Sequence, residues 1–123
     1  MRVIDSKFLD SSAWLSYFYA DKEEIMEIVE SDVLILTSTL CLFEVKRKLM
    51  KQRIDFISKM DFIMKRSIII YPSIIICQKS AEISIQNKLG AIDSIIYATS
   101  SMTDSELITG DNDFRELEKV RII

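Results

Sequence analysis

The sequence predicts an α/β fold: one three-layer domain with a parallel sheet of about five strands flanked by helices. Three observations lead there. Short apolar runs alternate with longer stretches of helical periodicity along the whole chain, and strands separated by helices tend to pair in parallel. The runs in "VLILTS", "SIIIYP" and "ELIT" are continuous rather than alternating, as strands covered on both faces require. Only two glycines and one proline occur in 123 residues. That composition fits short connections and no linker, so residues 1–123 read as a single domain.

The elements follow in order. Residues 7–9 read as a short strand that begins as early as Arg2. "SSAWLSYFYA" is helical, with Ser11 or Ser12 as its cap. "DKEEIMEIVE" is a second helix, since Asp21 and Glu24 stand at capping-box spacing. Residues 33–38 form a strand, and "TLCLFEVKRKLMKQ" a helix with Leu42, Val45 and Leu49 on one face. An amphipathic helix covers about 54–66, and "SIIIYP" is a strand ended by Pro72. Residues 74–88 fit a helix closed near Gly90. "AIDSIIYATSSM" is a helix, "ELIT" a strand, "DFRELEK" a short helix and "VRII" the last strand.

Composition excludes several chemistries. The chain has no histidine, so no His general base, no Ser-His-Asp triad and no His-rich zinc site is available. Catalysis would have to come from carboxylates, lysines, hydroxyls or a bound hard cation. The net charge is -3, so no global field draws nucleic acid in. The apolar runs are too short to span a bilayer, and "MRVIDSKFLD" lacks a signal-peptide core. A cytoplasmic protein is expected. Cys41 and Cys77 lie far apart and are expected to be buried free thiols.

Four acids interrupt apolar sequence. Asp10 ends the first strand, Glu44 lies in "CLFEV", Asp93 opens "GAIDSIIYA" and Asp111 ends "LITGD". Each has a plain structural reading: a helix cap for Asp10, a solvated helix position for Glu44, a dipole-favoured charge for Asp93, a turn for Asp111. Strand ends and the helix starts that follow them share one rim of a parallel sheet, where ligands bind in such folds. Carboxylates gathered there stay ionised together only if a cation neutralises them. All-oxygen ligation suits Mg²⁺ or Mn²⁺, and such an ion can activate water against a phosphodiester.

On the helix carrying Glu44, Arg47, Lys48 and Lys51 fall at i+3, i+4 and i+7. They form one stripe along which a phosphate backbone can run; a solvated helix face is the plain alternative. Trp14, Tyr17 and Phe18 form an aromatic group on the first helix, read as core packing or a protein interface.

With these residues in view, "FLDSSAWLSYF", "TSTLCLFEV", "GAIDSIIYATS" and "LITGDNDFREL" together resemble the PIN domain. They stand in that family's order and nearly span the chain. The resemblance implies a metal-dependent ribonuclease with Asp10, Glu44, Asp93 and Asp111 as catalytic and metal-binding acids. It adds Asp113 as a further metal ligand, Ser12 and Thr109 as hydroxyls that orient the pocket, and Mg²⁺ or Mn²⁺ as cofactor. The small size is similar to VapC-type toxins of toxin–antitoxin pairs. That similarity implies an RNA substrate, an antitoxin partner, a homodimer and no membrane association. Two features depart from the pattern: several residues precede the first strand's core, and Gly110 stands where a bulkier, often basic residue is common.

The expected activity is therefore hydrolysis of RNA phosphodiester bonds by a toxin-like endoribonuclease. The rivals are an RNA-processing nuclease that is not a toxin, and a non-cleaving module that binds RNA or protein. A phospho-accepting receiver domain fits poorly. That class resembles a chain with paired acids after its first strand and a lysine after its last, whereas here Ser11 and Ser12 follow Asp10 and the chain ends in "VRII".

Overall fold

A computed structural model describes residues 5–123. Its elements are β1 (Ser6–Leu9), α1 (Ser11–Tyr19), α2 (Glu23–Glu30), β2 (Leu34–Ser38), α3 (Thr39–Lys51), α4 (Ile57–Arg66), β3 (Ile68–Ile70), α5 (Ile74–Asn87), α6 (Ala91–Met102), β4 (Glu106–Thr109) and β5 (Val120–Ile122). The expected strand start near Arg2 lies outside the described residues. The five strands form one sheet in the order β3-β2-β1-β4-β5, and every pairing is parallel. The chain builds outward from β1 to β3, then returns to add β4 on the other side of β1. That reversal, between β1 and β4, is where an open α/β sheet leaves a crevice at the carboxyl ends of its strands.

The continuous apolar strands are explained by two separate cores. Phe8, Leu36 and Leu107 pack with Ile76, Ile83 and Ile96 of α5 and α6. Their chain neighbours Leu9, Ile35 and Ile108 pack with Trp14, Ile25, Val45, Leu49 and Ile63 of α1 to α4. Successive strand residues face opposite sides, so each strand must be apolar at both parities. Trp14 is fully buried, and its indole N–H donates to Thr37 Oγ1 at 3.1 Å. The Thr37 hydroxyl donates in turn to the Leu9 carbonyl at 2.7 Å. This chain ties α1 to the ends of β1 and β2.

Several local expectations are corrected. The cap of α1 is Asp10, not Ser11 or Ser12, because its carboxylate accepts the Ala13 N–H. Asp21 does not cap α2, whose N-cap is Lys22; its carboxylate instead accepts the Ser16 hydroxyl. Lys88 closes α5 in the left-handed conformation, while Gly90 has ordinary φ and serves as N-cap of α6. "DFRELEK" forms only a 3₁₀ turn, Asn112–Phe114. Phe114 is buried, and the left-handed Lys119 redirects the chain into β5, which leaves no length for a helix.

Cys41 is buried but Cys77 is exposed, contrary to expectation. Ile76, Ser80 and Ile83 form the buried stripe of α5, and one step along the helix turns Cys77 to solvent. Part of the aromatic surface of α1 packs within the chain: Tyr17 stacks on Phe62 of α4 at 5.5 Å, and Phe18 meets the same ring edge-on. Tyr17 and Phe18 remain half-buried and Tyr19 is exposed, so α1 keeps part of its aromatic surface. No described helix is long and apolar enough to cross a membrane.

Candidate active site

Asp10 follows β1 at the topological switch and is almost wholly buried, with 6 % exposure. Its Oδ1 accepts the Ser12 hydroxyl at 2.6 Å and the Ala13 N–H at 3.0 Å. Its Oδ2 accepts the Thr109 hydroxyl at 2.5 Å. Burial raises the Asp10 pKa; the Ser12 and Thr109 hydroxyls and the Ala13 N–H oppose that rise, and Glu44 adds to it. The structural reading and the functional one thus coincide: Asp10 caps α1 and also sits at the base of the rim.

The two hydroxyls join β1 to β4. Ser12 Oγ accepts the Gly110 N–H at 2.8 Å, and Thr109 Oγ1 accepts the Asp111 N–H at 3.0 Å. These bonds fix the loop after β4 against the start of α1. Asp111 Oδ1 then accepts the Asp113 N–H at 2.9 Å, so Asp111 makes the turn that brings Asp113 back toward it. The turn that the sequence offers as the plain reading of Asp111 is therefore present, made by the same side chain that stands on the rim.

Asp93, in the first turn of α6, completes the group. One carboxylate oxygen from each of Asp93, Asp111 and Asp113 lies within 4.8 Å of the others. Burial, then Asp111, Asp113, Glu44 and Asp10 in that order, push the Asp93 pKa up to about 6. Asp10 and Glu44 are therefore close enough to be felt electrostatically, but they stand outside the tight trio. Glu44 is half-buried and held by the Ser11 hydroxyl at 3.2 Å. That contact was missed in the sequence, where Ser11 read only as a cap. The Cys41 thiol, fully buried below, is pushed up to about 12 by burial and then by Asp10, with a smaller push from Glu44. It is inert as a nucleophile.

None of the five acids takes part in an ion pair among the described residues. Their donors are hydroxyls and backbone N–H groups. A group of all-oxygen ligands with no ion pair among the described residues is a donor set that suits a hard divalent cation, so such an ion fits these residues. Arg47 and Lys48 line one cleft with Ser11, Ser12 and Glu44. Arg47 and Lys51 border the adjoining hollow with Phe43 and Met50. The basic stripe thus runs along one side of the acidic rim.

Comparison with known proteins agrees with this architecture. The PIN domain family model matches residues 7–120. No curated protein matches the chain in sequence. Among solved structures, a toxin–antitoxin complex from Klebsiella pneumoniae is similar at 24 % identity and a TM-score of 0.78, covering 94 % of this chain and 95 % of that one. VapC20 of Mycobacterium tuberculosis, described as a sarcin–ricin loop cleaving toxin, is similar at 13 % identity and a TM-score of 0.75, covering 94 % and 98 %. VapBC2 of Rickettsia felis, bound to a DNA fragment from its promoter, is similar at 16 % identity and a TM-score of 0.74, covering 96 % and 97 %.

Proposed function

The chain belongs to the PIN domain family, and from that premise we propose that it is a metal-dependent endoribonuclease acting as the toxin of a toxin–antitoxin pair. The observation that carries the reading is the trio Asp93, Asp111 and Asp113, set at the switch point beside Asp10 and Glu44 and in no ion pair among the described residues. Asp93, Asp111 and Asp113 would hold Mg²⁺ or Mn²⁺, with Asp10 and Glu44 beside them. When bound, the ion supplies an activated water and charge stabilisation for the phosphodiester.

The chain's own residues do the rest. Ser12 and Thr109 hold the Asp10 carboxylate by two short hydrogen bonds, so its oxygens face the rim in one orientation. Ser11 holds Glu44 at the edge nearest the basic stripe, where it can orient an attacking water. Arg47, Lys48 and Lys51 contact the RNA backbone and bring it across the acids. The similar solved structures include toxin–antitoxin complexes, which supports an antitoxin as partner. For the homodimer, Tyr71 just before α5 and Ile74 and Ile75 in its first turn are exposed apolar side chains that would supply an interface.

The test is RNA cleavage by the purified chain with Mg²⁺ or Mn²⁺, and with either ion removed by EDTA. Cleavage that needs the ion and is lost in Asp93→Asn supports the reading. RNA binding without cleavage under all of these conditions replaces it with a non-cleaving module. Growth arrest on expression, relieved by the product of an adjacent reading frame, separates a toxin from a processing nuclease.

A further inference from the structure

A groove opens at the end of α5, a helix that packs on the sheet face opposite the body of α3. It lies between the end of α5 and the 3₁₀ turn, encloses about 570 Å³ and is lined by Gln86, Lys88, Asn112, Asp113, Arg115 and Glu116 among others. Its floor reaches the trio directly, because Asp113 belongs to both. Two cations stand in it. Neither Lys88 nor Arg115 forms an ion pair among the described residues. Both side chains are exposed. Gln86 and Asn112 add amides, which carry donors and acceptors together.

A strand brought to the acids along Arg47, Lys48 and Lys51 has to leave on the far side. A polar groove with two uncommitted cations and amide edges suits that exit better than an apolar surface would. We propose that the α5–turn groove takes the single-stranded RNA segment beyond the cleaved phosphate, with Lys88 and Arg115 on its phosphates and Gln86 and Asn112 against a base. Sequence-selective RNA binding works this way, on unpaired bases whose edges are free. Glu116, the one acid of the lining outside the trio, opposes the phosphates and keeps the contribution of the pair modest. The inference rests on the ribonuclease reading above and extends it to a path for the substrate.

The backbone supplies an unusually clean test. Lys88 is the left-handed C-cap of α5, at φ 52 and ψ 44, a conformation that glycine adopts without the penalty a side chain brings. Lys88→Gly therefore removes the charge while leaving Tm unchanged or higher, so weak binding cannot be blamed on misfolding. Arg115→Gln removes the second charge and keeps much of the length. Binding of a single-stranded RNA oligonucleotide is measured across a salt series in the Asp93→Asn background, so that the strand is not consumed. Each variant is expected to weaken binding roughly fivefold and to lower the log–log salt slope by about 0.7, the value for one phosphate contact on a single strand. Wild-type affinity and slope in both variants would overturn the groove, as would weaker binding with an unchanged slope. The ribonuclease reading survives those results if Mg²⁺-dependent cleavage is intact. Failure of the wild type to cleave or bind RNA removes both.

Discussion

Two charged clusters lie on the same sheet, and they are built on opposite plans. Lys7 of β1 bonds Glu106 of β4 at 2.8 Å and Asp5 at 3.0 Å. Arg121 of β5 reaches the same Glu106 at 2.9 Å and Glu24 of α2 at 3.5 Å. Burial pulls the Lys7 pKa down, but the hydrogen bonds to Glu106 and Asp5 outweigh it and the net shift is upward. Every carboxylate there faces a cation of the chain itself. At the other end of the strands, five acids gather, and among the described residues the donors to them are hydroxyls and N–H groups, with no ion pair. The count of charges is similar; the balance is not. A self-neutralised cluster serves the fold, whereas an unbalanced one needs its counter-charge from outside.

Neutralising one acid in each cluster separates the two plans by the largest expected effect. Asp93→Asn is expected to lower metal-dependent RNA cleavage by at least about a hundredfold, because it removes a charged oxygen from the metal group. Its metal-free stability should hold or rise, since a repelled, half-desolvated charge is gone. Glu106→Gln should do the reverse. It leaves Lys7 and Arg121 without their shared partner and costs about 1–3 kcal/mol, with turnover unchanged. Denaturant melts and cleavage rates on both variants read the two effects separately. Equal losses of activity in both would erase the distinction.

The pH response should differ in sign as well. Asp93 titrates near 6 in the folded chain and near 3.9 unfolded, so the folded state binds more protons between those values. Stability from this group is complete below about pH 4 and is lost as pH rises through about 6. Asp10, also raised, acts in the same direction. In EDTA, the Tm difference between wild type and Asp93→Asn should therefore move against the wild type as pH rises from 4 to 7. Mg²⁺ should reverse the trend, because a cation binds the ionised trio and its stabilisation grows with pH. A difference that stays flat with pH would show that the trio is not strained by its own charge.

The layered fold and the acids of the rim were legible in the sequence, whereas the Lys7–Glu106–Arg121 cluster was not, because its members meet only through the pairing of β1, β4 and β5. Continuous apolar strands between helices gave the parallel order of layers, and the acids at strand ends marked the rim. What stayed hidden was which acids form the tight group. That depends on Asp111 folding the chain back so that Asp113 joins Asp93, a turn set by one side-chain to backbone bond. Helix ends were hidden for a related reason. With two glycines in the whole chain, Ala20, Arg53, Lys88, Asp104 and Lys119 carry the left-handed positions, so the usual glycine signal is missing. The role of Cys77 turned on a one-residue step around α5, which periodicity alone does not resolve.

A smaller effect tests the basic stripe. Replacing Arg47 and Lys51 together by alanine should weaken RNA binding about tenfold and lower the salt slope by about 1.4, two phosphate contacts' worth on a single strand. Cleavage at saturating RNA should barely change, since no acid is touched. Glu44→Gln should give the opposite pattern, with impaired turnover and binding that is equal or tighter. A stripe variant with wild-type affinity and salt slope would reduce those residues to a solvated face.

The smallest expected effect is at Gly110, between Thr109 and Asp111 in the loop that carries two of the site's hydrogen bonds. A glycine there suggests a backbone that tolerates nothing else, and the structure argues otherwise. Gly110 does not have positive φ. A Cβ built on it would meet Ser12 Oγ at 3.5 Å and Ser12 Cβ at 3.7 Å, ordinary van der Waals contacts. Its N–H donates to Ser12 Oγ, a bond that any residue except proline keeps. Gly110→Ala should therefore leave cleavage unchanged and raise stability by about 0.4–1 kcal/mol, through the lower entropy of the unfolded chain. Gly110→Lys, aimed out over the rim, should keep the fold and tighten RNA binding by adding a cation beside the unbalanced acids. A loss of stability in Gly110→Ala would mean that the loop is more tightly packed against α1 than its Cβ contacts indicate. Tightening in Gly110→Lys together with lost cleavage would mean that the new ammonium pairs with the trio and displaces the metal, which is the same charge deficit read from the other side.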